Sequence, residues 1–231
     1  MTVKGVLFDF SGTLFRIEST ASWLRSVLDR ARIPLDEAEF ERLTRDLEAH
    51  GALPGGVAPR AVPAHLTEVW TERDRTAEQH RAAYTGMARE VPLPRPELYD
   101  ALYARHMEPA AWRPYADAGA VLAELRRRGV RTAVVSNIGW DPRPVFREHG
   151  LDAWVDAYVL SYEHGVQKPD PRLFRAACEA LDLAPEDVLM VGDDRRADAG
   201  AAAVGCAVHL VDHLPVEERP DALRAVLELA G

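Results

Sequence analysis

Apolar and polar positions change rhythm twice along this chain. Residues 3–8 are a short apolar run with β-branched members, the pattern of a strand buried on both faces. A helical rhythm follows over 18–32 and 36–50. In the second of these, Leu35, Phe40, Leu43 and Leu47 recur at three- to five-residue spacing, and Asp36 is placed to cap the first turn. Gly51 to Pro63, rich in Gly and Pro, reads as a loop. Residues 64–89 read as helical with room for a break, Pro92, Pro94 and Pro96 form a rigid linker, and 97–107 is a further helix.

After Pro114 strand and helix patterns alternate. A helix over 117–128 stops at Gly129. Strands are predicted at 130–135, 155–160, 187–191 and 206–211, with helices at 141–149, 171–182 and 195–203 between them, and Pro215 opens a last helix. This alternation predicts an α/β fold, a doubly wound parallel sheet with helices on both faces. The first strand belongs in that sheet. The helical stretch between is then an insertion, which divides the chain into a core of 1–15 and 113–231 and a helical cap of 16–112.

Composition narrows the partners. With 37 acidic and 28 basic residues the net charge is −9, which disfavours nucleic-acid binding. Lysine occurs only at Lys4 and Lys168, so the expected cap has none. No apolar run reaches the roughly 18 residues of a membrane span, and no leader is evident, so a cytoplasmic monomer or homodimer acting on a small molecule is expected. Cys178 and Cys206 lack metal-ligand spacing and are expected to be buried free thiols.

Candidate chemistry gathers at strand ends, where open α/β sheets bind ligands. Asp9-Phe10-Ser11-Gly12-Thr13 follows the first strand, Ser136-Asn137 follows 130–135, Lys168-Pro169 precedes helix 171–182, and Gly192-Asp193-Asp194 through Asp198 follows 187–191. Asp9 is a candidate nucleophile. With Asp193 it could hold a hard cation such as Mg²⁺. Lys168 supplies positive charge, and Ser136 with neighbouring N–H groups could bind phosphoryl oxygens. Each segment alone is a common turn or helix cap; their ordered conjunction carries the signal.

In these segments the whole chain resembles the haloacid dehalogenase superfamily of hydrolases, with Asp9-Phe10-Ser11-Gly12-Thr13-Leu14, Val135-Ser136-Asn137, Lys168-Pro169-Asp170-Pro171 and Val191-Gly192-Asp193 with Asp198 as its motifs. The resemblance implies a Rossmann-like core with an inserted helical cap that sets substrate choice. It implies Asp9 as nucleophile and metal ligand, and the Ser11 backbone carbonyl and Asp193 as further ligands. Thr13, Ser136, Asn137 and Lys168 would orient or neutralise the phosphoryl group and Asp9, with Asp194 or Asp198 at or just behind the metal. The expected activity is Mg²⁺-dependent hydrolysis of a small phosphorylated metabolite.

One position departs from that pattern. Phosphatases of the superfamily have a second Asp, an acid and base for the two half-reactions, where Ser11 stands. Such catalysis is worth about 10²–10⁴-fold. Ser11 therefore leaves three readings open: a phosphatase with altered leaving-group demands or another acid, with His65, His80 and His106 as cap candidates; a metal-free 2-haloacid dehalogenase; or an impaired binding module. A Schiff-base phosphonate hydrolase would need a cap lysine, which is absent. Trp23, Trp70 and Trp140 are candidate aromatic walls, and Arg16, Arg113 and Arg143 candidate anion contacts.

Overall fold

The computed structural model describes residues 3–230; residues 1–2 and 231, assigned above to the core, lie outside the described residues. Five parallel strands form the main sheet: β1 (Gly5–Phe8), β4 (Arg131–Ser136), β5 (Ala157–Leu160), β6 (Val188–Gly192) and β7 (Ala207–Leu210), in the order β5-β4-β1-β6-β7. Two three-residue strands, β2 (Phe15–Ile17) and β3 (Trp112–Pro114), pair antiparallel outside it.

Register explains where the chemistry collects. Phe8 lies opposite Val134 of β4 and Val191 of β6. Asp9, Ser136 and Asp193, at or just past the ends of these three strands, therefore emerge at one edge. Chain order also reverses beside β1, with connections leaving to β4 on one side and β6 on the other, a switch point of the kind that opens a ligand crevice.

Alternation along the buried strands feeds two apolar layers. Val6, Phe8, Val134 and Val191 face one layer, and Leu7, Ala133, Val135 and Met190 the other. The second layer is sealed by Leu173, Phe174, Ala177 and Cys178 of the helix Pro171–Ala180. Cys178 and Cys206 are buried and free, with their sulfurs 3.8 Å apart.

Between β2 and β3 the chain is helical: α1 (Thr20–Ala31), α2 (Glu37–Ala49), α3 (Thr67–Thr71), α4 (Ala77–Arg89) and α5 (Glu97–His106). Asp36 caps α2 as expected, accepting from the Glu39 N–H at 2.8 Å. Trp23 is buried inside this insertion and donates to the Leu102 carbonyl at 2.9 Å, so it packs core and faces no ligand. The break allowed for in 64–89 is present, over residues 72–76 between α3 and α4. Two other expectations need correction. The helix expected at 195–203 is 3-10 over Asp198–Val204, where Gly200 lies so close to Pro169 that a Cβ there would come within 2.6 Å of the proline ring. After Pro215 there is one 3-10 turn, Val216–Glu218, and only later a short helix, Arg224–Leu229. Among the described residues no helix is long and apolar enough to cross a membrane.

Candidate active site

Asp9 remains tied to the sheet, its N–H donating to the Val191 carbonyl at 2.9 Å. The chain then turns through Gly12, whose φ of +86° suits glycine. A residue that sequence reasoning missed holds this turn. Arg219, buried, donates to the carbonyls of Gly12 at 2.6 Å and of Thr13, and its guanidinium lies 3.2 Å from the Tyr115 ring centroid.

Lys168 is the centre of charge. Its ammonium donates to Asp9 Oδ1 at 2.8 Å and Asp198 Oδ1 at 2.6 Å, and all three side chains are almost or wholly withdrawn from solvent. Two carboxylates thus share one cation. Burial pushes the Asp9 carboxyl up to about 8; Lys168 opposes this, while Asp198 and Asp193 add to it. For Lys168 burial works downward, but the charges of Asp198 and Asp9 outweigh it and hold the amine above its ordinary value. Asn137 fixes the lysine's backbone on both sides, donating to the Lys168 carbonyl at 3.0 Å and accepting from its N–H at 2.6 Å. Its amide is thereby engaged with Lys168, and the residue also lines the cavity described below. Asp198 Oδ2 accepts from the Asp194 N–H at 2.9 Å, and the Asp194 carboxylate caps the next turn through the N–H groups of Arg196 and Ala197.

Asp193 completes the group. Thr13 donates to its Oδ1 at 3.1 Å and His213 Nδ1 contacts its Oδ2 at 2.5 Å. Burial favours the neutral carboxyl, but the His213 hydrogen bond and charge prevail and hold Asp193 below its ordinary range. Thr13 thus serves Asp193 here, and no described hydrogen bond joins it to Asp9. Oxygens of Asp9, Asp193 and Asp198 lie within 4.8 Å of one another. An all-carboxylate donor set suits a hard cation of the Mg²⁺ type. Asp198 meets the Lys168 ammonium and the Asp194 N–H with its two oxygens, whereas Asp9 meets Lys168 with Oδ1 alone, so Asp9 and Asp193 are the two carboxylates best placed to hold it.

A cavity of about 300 Å³ opens over this group between the sheet edge and the insertion. Ser136, Asn137, Lys168 and Asp193 line it from the core; Trp70, Arg73, Asp74, His80 and Tyr84 line it from the insertion. Ser11 Oγ is buried without a hydrogen-bond partner and abuts the 51–59 loop: a Cβ on Gly55 would fall 2.6 Å from it. Trp140 and Trp70 line the cavity, and so does Trp112. Among the histidines, His65 is exposed beside Glu90 at 3.3 Å and is no part of the site. His106 is wholly buried with its ring driven down to about 3 by burial, and does not line the cavity. His80 does line it, but burial, then His106 and Arg73, push it well below the usual imidazole range, so it is neutral. Arg113 pairs with Glu217, and Arg143 with Asp141 and Glu163, away from the cavity. Arg16 reaches the rim, contacting His213 and donating to the Gly55 carbonyl at 3.0 Å. His213, Arg219 and Asp74 escaped sequence reasoning because their partners lie far along the chain.

A parallel-sheet core with paired acids and a lysine at its switch point places the chain among Rossmann-like α/β proteins. The family model of haloacid dehalogenase-like hydrolases matches residues 3–205, and the chain belongs to that family. It is similar to a phosphoserine phosphatase from Thermus thermophilus, 41% identical over 110 residues, covering 47% of this chain and 44% of that protein. It is 36% identical over 160 residues to a ribulose-1,5-bisphosphate 5-phosphatase from Halopiger xanaduensis, covering 65% of each. The chain thus spans from under half to about two thirds of the length of these relatives. Among solved structures, a crystal structure of a dehalogenase superposes with a TM-score of 0.68 at 22% identity, covering 98% of this chain and 96% of that one, which establishes the shared fold.

Proposed function

We propose that this protein is a Mg²⁺-dependent phosphohydrolase of small phosphorylated metabolites. The observation that carries the reading is the Asp9–Lys168–Asp198 group, 2.8 and 2.6 Å across its two contacts, beside Asp193 at the floor of a cavity. In this reading Asp9 attacks phosphorus, and an aspartyl-phosphate forms and is hydrolysed. Lys168 neutralises charge on the nucleophile and the phosphoryl oxygens, and Ser136 offers a hydroxyl at the end of β4. Asp9, Asp193 and the Ser11 backbone carbonyl would hold Mg²⁺, which when bound neutralises phosphoryl charge. The cavity's size favours a small leaving group, and the phosphatase relatives support the class.

The test is p-nitrophenyl phosphate hydrolysis with Mg²⁺ and after chelation. Turnover that depends on Mg²⁺, with phosphate recovered on the Asp9 peptide, is the expected result. Metal-independent release of halide from a 2-haloacid would instead identify a dehalogenase. Activity on neither, with a phosphate analogue still bound, would leave a binding module.

Gly12 offers a second check. A Cβ there would come within 2.4 Å of Asp193 Oδ2, at a φ already unfavourable for L side chains. Gly12→Ala is expected to displace Asp193 and weaken Mg²⁺ binding about 10–100-fold, the range for groups that support metal ligands, as read by titration calorimetry. Wild-type affinity in this variant would remove Asp193 from the metal site.

A further inference from the structure

Position 11 lacks an acid, yet the cavity contains another carboxyl. We propose that Asp74, in the turn between α3 and α4, is the general acid and base of this site, protonating the leaving oxygen and then taking a proton from the attacking water. The inference rests on Asp9 being the nucleophile.

Three observations carry it. First, Asp74 lines the same cavity as Asp9, Ser11 and Lys168, and comes from the inserted segment. In phosphoryl transfer the leaving oxygen lies roughly in line with the attacking one, on the far side of phosphorus. A carboxyl carried by the insertion, which covers the edge where Asp9 emerges, is a candidate to serve that oxygen. Second, the Asp74 carboxyl sits beside Arg73 but accepts no hydrogen bond among the described residues. Its side chain is 6% exposed. Its nearest cationic neighbour is Arg73 Nε at 3.5 Å, and His80 Nε2 is 3.8 Å away. Third, its backbone is pinned to the core. Ser161 Oγ donates to the Asp74 carbonyl at 2.5 Å, and the Asp74 N–H donates to Gln167 Oε1 at 3.3 Å. Gln167 precedes Lys168 and also donates to the Thr71 carbonyl at 2.8 Å. Asp74 is therefore held in register with the lysine that binds the nucleophile.

The surrounding charges favour a carboxyl that exchanges protons. Burial raises its proton affinity, while Arg73 and, more weakly, Lys168 lower it. The other titratable neighbours are His80, neutral through burial, and Tyr84, whose phenol burial pushes up. Ser11 does not compete, because its hydroxyl is closed off against Gly55.

The steps balance. In the first, an Asp9 oxygen bonds to phosphorus, the ester P–O bond breaks, and the Asp74 proton goes to the departing oxygen. In the second, water bonds to phosphorus, the Asp9–phosphorus bond breaks, and the water's proton returns to Asp74, leaving alcohol and phosphate.

The experiment compares wild type, Asp74→Asn and Asp74→Glu on p-nitrophenyl phosphate, a good leaving group, and benzyl phosphate, a poor one of similar shape. For Asp74→Asn, kcat/KM on benzyl phosphate is expected to fall about 10²–10⁴-fold. On p-nitrophenyl phosphate it falls at least an order of magnitude less, because nitrophenolate leaves without a proton. The second step is slowed for both, so the variant releases a burst of nitrophenol and accumulates phosphorylated Asp9. Partial recovery in Asp74→Glu supports the same role. An equal loss on both esters with no burst would make Asp74 structural and overturn this inference alone. If wild type hydrolyses p-nitrophenyl phosphate without needing Asp9, the aspartyl-phosphate reading falls and this inference with it.

Discussion

Asp9→Asn is expected to abolish turnover and to stabilise the metal-free protein. The loss of activity should reach about 10⁴-fold or more, the scale seen when a covalent nucleophile is removed, because Asp193, the neighbouring carboxylate, is held by Thr13 and His213. The gain in stability follows from charge. Lys168 faces Asp9 and Asp198 in a pocket nearly closed to water, so one carboxylate is in excess. The fold raises the Asp9 carboxyl from 3.8 in the unfolded chain to about 8. A group so shifted prefers to be neutral in the folded state. Its contribution is complete below about pH 3.8, declines as pH rises, and is gone above about 8, where ionised Asp9 is a cost to folding. Asparagine keeps the shape without that charge and leaves Lys168 paired with Asp198. Thermal melts at pH 8.5 with chelator should therefore place the variant above wild type, by roughly 2–4 °C for each kcal/mol recovered. Added Mg²⁺ should narrow or reverse the gap by raising wild type alone. A variant less stable than wild type in chelator would show that Asp9 is a net structural partner of Lys168.

Much of this fold was legible because buried parallel strands leave long apolar runs. Val130 to Val135 and Val188 to Val191 announced β4 and β6, and Asp9, Lys168 and Asp193 were found because each stands in a short polar segment between such a run and the next element. What stayed hidden depends on contacts between distant residues. β2 and β3 are three residues each, and Ile17 pairs with Trp112 across the whole insertion. Neither segment has enough length for a period to show. In the sequence Asp74 is one more acid in a charged stretch, and only the folded chain shows it buried against Ser161 and Gln167. Arg219 sits in a segment read as helix, where an exposed polar face would be the ordinary expectation, and His213 in the short link before it. The histidines of the insertion drew attention as candidate acids because composition identifies them, whereas their burial, which keeps His80 and His106 neutral, is a property of packing.

Lys168→Ala should be the most damaging single change for stability. The ammonium is the only cation in hydrogen-bond contact with Asp9 and Asp198 among the described residues, and Asp198 is fully buried. Without it, the buried Asp198 has no cation beside it and faces Asp9 across an emptied pocket. Breaking a buried pair in this way costs about 3–5 kcal/mol, read from urea denaturation at neutral pH. The lysine's own titration does not intrude there. Its amine is held above its ordinary 10.5, so its contribution is complete below that value and is lost only as pH rises through the folded one. Activity should fall as well, because Asp9 would be protonated more readily and phosphoryl charge would go unopposed. The double variant Lys168→Ala/Asp198→Asn separates the two effects. Removing the second carboxylate should restore part of the lost stability while activity stays low, since the neutral amide relieves repulsion but supplies no cation to the nucleophile. If the double variant is no more stable than Lys168→Ala, the cost lies in the cavity left by the missing side chain and the buried charges are not its source.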